Sequence, residues 1–213
     1  MTKEIFIENA NHNCKIESSI VCITVEDVET YRDIRFHPFE SITYSIDGAP
    51  ASLNRTGLVI DNVYNIDIND KKYLNQLYKR LSNNAYQDEQ MLSTIKSNLS
   101  SLVEEMIYND KYLIEFDEDI DIVKLLALFQ VKYVTMPDKR FLENIVNFIK
   151  LNTEICTIRI VITYDLIRQL TNDEIELLKK ELEILDIVLV DITLDKIRKE
   201  VQYIQLDETN CII

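Results

Sequence analysis

The sequence predicts a mixed α/β fold that is interrupted by a mostly helical segment, and three patterns support this prediction. Continuous apolar runs at residues 18–27 and 186–192 are typical of strands covered on both faces. Near the carboxyl end, a strand, a helix and a strand follow at the spacing of a parallel βαβ unit. From about residue 69 to 155, apolar residues recur at helical spacing instead. We therefore expect an α/β head domain, residues 1–68 and 156–213, and a mostly helical leg domain, residues 69–155.

The amino-terminal part is predicted to consist mainly of short strands. Residues 4–8 (EIFIE) alternate apolar and polar side chains, as a strand with one covered face does. Residues 40–47 and 56–61 form two further apolar segments, and the sequence DGAP predicts a turn between them. A helix is expected to start near Val28, after the first buried strand, and to end at His37-Pro38.

The middle of the chain is predicted to be mostly helical. A first helix places Tyr73, Leu77 and Tyr78 on one face, and a second carries a narrow apolar stripe from Met91 to Met106. Such a stripe needs a partner helix or a second chain to cover it. A short strand at residues 111–116, a helix from about Asp121 to Phe129, a strand at 131–136 and a helix opening at Pro137-Asp138 are expected to follow.

The carboxyl-terminal part is predicted to return to alternating strands and helices. Thr171 and Glu174 have the spacing of a capping box, in which each side chain bonds to the other residue's backbone N–H. The helix that they start is followed by the apolar run 186–192, and residues 203–206 are predicted to add an edge strand.

The composition excludes several classes of protein. The formal charge of −14 argues against anionic membrane surfaces and, unless basic residues gather on one face, against nucleic acid. Only two glycines are present, so a glycine-rich phosphate cradle is not expected. The four cysteines lack C-x-x-C spacing, and no signal peptide or membrane-spanning run is predicted. We therefore expect reduced thiols and a cytoplasmic protein without membrane contact.

An acidic segment, YLIEFDEDIDIVKLL, is the strongest candidate for a metal site. Asp117, Asp119 and Asp121 begin like an EF-hand loop, but Ile122 and Leu128 stand where that loop needs glycine and glutamate. Acidic residues also favour the start of a helix, because they face the positive end of its dipole. Two carboxylates ~6 Å apart in water repel by only ~0.7 kcal/mol, so the charges do not require a cation. Both interpretations, a calcium site and a solvated helix start, remain open at this point.

Four segments, taken in order, resemble one known family. They are ITVEDV, GLVIDNVYNIDINDKKYLNQLYKRL, YLIEFDEDIDIVKLLALFQVKYVT and IRIVITYDLIRQLTNDEIELLKKELEILDIVLVDI, and they lie between about residues 20 and 195. The family is the Csn-two family, small CRISPR-associated adaptation proteins of type II-A systems. The resemblance implies a head like a P-loop ATPase without a functional nucleotide site, and a helical leg that joins four copies in a ring. It also implies binding of double-stranded DNA at free ends with calcium support, and a non-enzymatic role in spacer acquisition beside the spacer integrase and the type II effector nuclease.

The resemblance also suggests metal ligands. Glu115, Asp117 and Glu118 fall on the family's acidic E-x-D-E pattern, and we expect them, with Asp121, to hold calcium. This chain departs from the pattern at Lys124, where the family carries a glutamate.

The residues themselves argue against catalysis. Where a Walker loop would place glycines and a lysine, this chain has Val25-Glu26-Asp27-Val28, and two carboxylates there repel a triphosphate. Asp61 and Asp165 end apolar strands, as a Walker B aspartate does, but without the cradle we expect no nucleotide cofactor and no catalytic residue. We interpret Asp61 as a strand-end cap.

DNA binding requires a local basic surface, because phosphate contacts supply most of the non-specific affinity. We expect that surface at Lys71, Lys72, Lys79 and Arg80 on the first leg helix, and at Lys132, which matches a lysine in the family's G-V-K pattern. Backbone contacts without sequence readout are expected. Two alternatives remain: a scaffold that joins CRISPR adaptation subunits without binding DNA, and a remote metal-dependent nuclease or phosphotransferase.

Overall fold

The computed structural model describes residues 2–108, 110–112, 114–117, 119–134, 141–196 and 199–212. The strands in this part are β1 (Lys3–Ile7), β2 (His12–Ile16), β3 (Ile20–Val25), β4 (Ile42–Ile46), β5 (Ala49–Ala51), β6 (Gly57–Ile60), β7 (Ile160–Tyr164), β8 (Val188–Thr193) and β9 (Gln202–Leu206). The α-helices are α1 (Val28–Phe36), α2 (Pro38–Ser41), α3 (Leu53–Thr56), α4 (Lys71–Gln87), α5 (Glu89–Ile107), α6 (Ile122–Leu128), α7 (Phe141–Ile155), α8 (Leu166–Gln169) and α9 (Asn172–Ile184).

A parallel sheet forms the centre of the fold. Its strand order is β6-β7-β8-β3-β9, and every neighbouring pair is parallel. Strands β3, β7 and β8 are buried at every position, since helices or a second sheet cover both faces. The predicted mixed α/β fold with a parallel βαβ unit is therefore confirmed, and β9 is the expected edge strand.

A second, antiparallel sheet with the order β2-β1-β4-β5 covers one face of the parallel sheet. Ile5 and Tyr44 are opposite each other in the β1–β4 ladder, and both pack in one core with residues of β3 and β8. Asp47 and Gly48, at φ 50° and 76°, form the turn between β4 and β5. The predicted DGAP turn is therefore confirmed, and the early strands make up a layer of their own.

Helices α7 and α9 cover the other face of the parallel sheet. Ile145 and Ile149 of α7 and Leu178 of α9 pack in one core with Val161 and other sheet residues. The capping box of Thr171 and Glu174 is present at the start of α9, as predicted. Residues 141–155 are expected in the leg from the sequence, but α7 packs on the sheet. Helical periodicity shows that a face is buried and not which neighbour buries it.

The chain forms two compact units. One comprises Met1–Ile66 with Met136–Ile213, and the other comprises Asp67–Thr135. The second unit contains α4, α5 and α6, in which α4 packs against both other helices. Tyr73, Leu77 and Tyr78 of α4 are buried, whereas α5 buries none of its residues. The structural boundary after residue 135 differs from the expected one at 155 because of α7.

Two predicted strands are wrong in the described part of the chain. Residues 114–117 and 131–134 have no regular secondary structure. At Tyr133 the backbone N–H and C=O bond to the side chain of Asn69 rather than to a neighbouring strand. The helix predicted at about Asp121 is present as α6, and Pro137-Asp138 lie outside the described residues. No helix among the described residues is long and apolar enough to cross a membrane.

Candidate nucleic-acid interface and metal site

The exposed face of α4 carries the predicted basic residues. Lys71, Lys72, Lys79 and Arg80 are exposed, and the helix sequence KKYLNQLYKRLSNNAYQ contains no acidic residue. The helix buries Tyr73, Leu77 and Tyr78, and the four basic side chains lie on the exposed part of its circumference. The side chain of Asp70 accepts a hydrogen bond from the Lys72 N–H at 2.9 Å and so caps the helix. The Lys72 Nζ lies 4.5 Å from the centre of the Tyr73 ring.

Lys132 lies close to the start of the same helix. Its neighbour Tyr133 accepts a hydrogen bond from the Asn69 side chain at 3.1 Å and donates one to it at 2.9 Å. Asn69 precedes Lys71 by two residues, so the structure brings the Lys132 segment to the amino end of α4. Lys132 itself is exposed.

The acidic segment is less clustered than the sequence suggested. Asp121 caps α6, accepting from Val123 N–H at 2.9 Å and Lys124 N–H at 3.2 Å, and its carboxylate lies 3.6 Å from the Lys124 Nζ. Asp117 accepts from the Asp119 N–H at 2.9 Å. Glu115 is exposed, and Glu118 lies outside the described residues.

These contacts limit what the described carboxylates can do alone. Among the described residues, no group of three or more His, Cys, Asp or Glu side chains could hold a metal ion. Calcium takes six to eight oxygen ligands. Glu115, Asp117 and Asp121 therefore do not form a calcium site by themselves, and Asp121 has the role of a helix cap. Lys124, the departure from the family's pattern, lies beside this cap.

The carboxyl edge of the parallel sheet is the place where a P-loop protein would hold a nucleotide. Here Asp27 accepts hydrogen bonds from the Thr30 N–H and hydroxyl, both at 2.7 Å, and so caps α1. These bonds, first that from the backbone, hold the pKa of Asp27 below its usual value. Asp165, in the left-handed region at φ 55°, accepts from the Thr193 hydroxyl at 2.8 Å and the Tyr31 hydroxyl at 3.2 Å.

Arg35, on α1, also forms a hydrogen bond at this edge of the sheet. Its Nε lies 3.0 Å from the Asp61 carboxylate, and its guanidinium lies 5.1 Å from the centre of the Tyr164 ring. Asp61, expected from the sequence to be a strand-end cap, therefore pairs with a side chain. The edge concentrates carboxylates that already accept hydrogen bonds, whereas a triphosphate needs backbone N–H groups and cations.

Asp191 is the residue that the sequence analysis missed. It is fully buried on β8 and accepts hydrogen bonds from Leu166 N–H, Ile167 N–H and the Thr163 hydroxyl, at 2.9, 2.9 and 2.8 Å. Burial raises its pKa to about 6, although the three donors oppose this shift. A lone acidic residue within the apolar run LVDIT was the available signal. Its role is to hold the start of α8.

Comparison with known proteins identifies a family. A family model described as "CRISPR-associated protein (Cas_Csn2)" matches residues 44–209. No curated protein matches the chain. The match covers more than half of the chain and includes α4, the acidic segment and Lys132, whereas β3 and Asp27 precede it. The chain therefore belongs to the Csn2 family of type II-A CRISPR-associated proteins, which acts in CRISPR adaptation.

Proposed function

We propose that this protein binds double-stranded DNA at free ends, without catalysing a reaction, as a homotetrameric ring in type II-A spacer acquisition. The observation that carries the proposal is the surface of α4, with four exposed basic residues and no acidic one in a chain of net charge −14. Phosphate contacts from lysine and arginine supply most non-specific DNA affinity. Lys132, held near the start of α4, adds a fifth cation to this surface.

The uncovered stripe of α5 supports self-assembly. Met91, Leu102 and Met106 are 46%, 52% and 73% exposed, although they share one apolar side of a 19-residue helix. An apolar stripe of this kind gains free energy when a second copy covers it. We place the contacts of the tetramer here, in the unit that the family's leg domain would form.

The first unit fits the head that the family resemblance implies. The parallel sheet, with β3 inside it and α1 directly after β3, supports such a head. The edge where phosphates would lie is occupied by Asp27 and by the bonded Asp61 and Asp165. These contacts support a head that works without a nucleotide.

Calcium support remains part of the proposal, at Glu115, Asp117, Glu118 and Asp121. The described members of this set do not come together as a metal site, so water, Glu118 or a second copy must complete the six to eight oxygen ligands. When bound there, calcium would neutralise charge in the acidic segment. Its expected role is to support the assembly of the ring, on which DNA binding depends.

The test compares linear and closed-circular duplexes of equal length in gel shifts, with calcium and with chelator. Retention of linear DNA alone is the expected result. Retention of closed circles as well would contradict end binding. Loss of the linear complex on chelation would support the calcium assignment, and its survival would reject it.

Charge reversal locates the surface. The double variant Lys71→Glu with Lys72→Glu is expected to weaken DNA binding and to flatten its dependence on salt. The control, Lys15→Glu with Arg55→Glu, changes the charge equally at exposed residues of the first unit. Equal effects of the two double variants would show that α4 is not the interface.

A scaffold that joins the spacer integrase and the effector nuclease is the second candidate. It is favoured by Leu128 and Phe129 at the end of α6, which are 76% and 74% exposed. Salt-sensitive retention of the wild-type protein on DNA would exclude a scaffold that does not bind DNA. Cleavage of a labelled duplex with magnesium would instead favour the nuclease alternative.

A further inference from the structure

The side chain of Asn69 joins the two ends of the unit Asp67–Thr135. Its amide oxygen accepts from the Tyr133 N–H at 2.9 Å, and its amide nitrogen donates to the Tyr133 C=O at 3.1 Å. Both residues are half-buried, and 64 positions separate them in the chain. One side chain thus satisfies both backbone groups of a residue that has no strand partner. Only an amide side chain supplies a donor and an acceptor in this planar arrangement.

This pair of bonds fixes where Lys132 lies. Consecutive Cα atoms are ~3.8 Å apart, so Lys132 is one such step from Tyr133, and Lys71 is at most two from Asn69. Asp70, between Asn69 and Lys71, caps α4 through the Lys72 N–H. The Asn69 bonds therefore help to set the spacing of Lys132 from the basic first turn of α4, together with α6, which packs on α4 and accepts the Val131 N–H at 3.1 Å.

We propose that Asn69 is a positioning residue for DNA binding, which holds Lys132 beside Lys71 and Lys72 so that all three contact one stretch of phosphates. This inference rests on the proposed DNA-binding function. A lysine on a loosely held segment must be ordered when DNA binds, and this ordering costs free energy. The Asn69 bonds remove that cost before binding.

The first experiment is a double-mutant cycle of DNA affinity against salt, with linear duplex as the probe. Removing one phosphate contact is expected to reduce the loss of affinity between 50 and 200 mM salt by about 3.5-fold. Asn69→Ala and Lys132→Ala should each produce this reduction, and the double variant should equal Lys132→Ala alone. Asn69→Ala combined with Lys79→Ala should show both effects in full, because Lys79 lies further along α4. Asn83→Ala, at an exposed position of α4, is the matched control.

Hydrogen exchange at the Tyr133 amide provides a readout that does not depend on DNA. It is expected to speed up in Asn69→Ala and to stay unchanged in Asn83→Ala. If Asn69→Ala does not fold, Asn69→Asp keeps the shape and the acceptor but cannot donate to the Tyr133 C=O. Asn83→Asp then controls for the added charge.

The outcomes separate the inference from the proposed function. Wild-type binding that Asn69→Ala leaves unchanged, or additive losses with Lys132→Ala, would overturn the inference alone. Absence of wild-type binding would overturn the proposed function, and with it the role of Asn69 in DNA binding. Unchanged exchange at Tyr133 would overturn the inference even where DNA binds.

Discussion

Replacing Asp191 by asparagine is expected to change how folding stability depends on pH. The carboxylate is fully buried, and Leu166 N–H, Ile167 N–H and the Thr163 hydroxyl donate to it. Burial nevertheless raises its pKa from 3.8 to about 6, so at neutral pH the folded protein holds a buried negative charge. Asparagine has the same shape and no charge.

The sign follows from proton binding. The folded state binds a proton at a higher pH than the unfolded state, so the contribution of Asp191 to stability is greatest below about pH 4. This contribution is lost as the pH rises through about 6. At ~1.36 kcal/mol for each pKa unit, the whole loss is about 3 kcal/mol, of which about 1 kcal/mol falls between pH 5 and pH 7.

Urea unfolding followed by circular dichroism at pH 5, 6 and 7 measures the effect. The free energy of unfolding of Asp191→Asn, relative to wild type, is expected to rise by about 1 kcal/mol from pH 5 to pH 7. The fixed cost of placing an amide beside the Ile167 N–H cancels, because only the change with pH is compared. Asp195→Asn is the control, since its side chain is 63% exposed and carries the same charge.

Two results would refute this reasoning. If the difference between Asp191→Asn and wild type stayed constant with pH, the carboxyl would not titrate in this range. If wild type instead gained on the variant as the pH rose, the three hydrogen bonds would outweigh burial and hold the pKa low.

Three further expectations concern other parts of the molecule. Thr171→Ala removes one side of the capping box of α9 and should lower the free energy of unfolding by ~1 kcal/mol in urea titrations, whereas an unchanged midpoint would show that the box does not matter. Met106→Glu should reduce the assembly size in light scattering, whereas Ser97→Glu, on the opposite side of α5, should not. Equal assembly sizes of the two variants would show that α5 is not part of the interface. Asp117→Asn should weaken calcium binding in calorimetry relative to Asp110→Asn, and equal heats would place the ligands elsewhere.

The parallel core could be predicted because its signal is local. Strands β3, β7 and β8 are apolar at nearly every position, and a strand covered on both faces leaves no other pattern. The antiparallel sheet could not be assembled in this way. Its central pairing, Ile5 with Tyr44, joins β1 and β4, which precede and follow β3 in the sequence. Three-dimensional packing, and no local pattern, determines such partners. Three-dimensional packing also determines that α7 lies on the parallel sheet.

Among the candidate sites, too, those formed by neighbouring residues could be predicted and those formed by distant segments could not. The basic face of α4 lies on one helix, so its spacing was visible in the sequence. Asp121 was also visible, but its cap on α6 and a metal ligand have the same local pattern. The Asn69–Tyr133 bonds and the donors to Asp191 join distant segments, and no local pattern predicts them.

The two units carry charge of opposite sign at the two surfaces considered, the sheet edge and the exposed face of α4. At the carboxyl edge of the sheet, Asp27 caps α1, Asp61 pairs with Arg35, and Asp165 accepts from the hydroxyls of Tyr31 and Thr193. An edge of this kind repels phosphate, and an acidic chain therefore needs a separate surface for DNA. We propose that the acid-free face of α4 is this surface. Because the Asn69 bonds bring Lys132 to the same surface, its full extent depends on how the unit's two ends are joined and not on the helix alone.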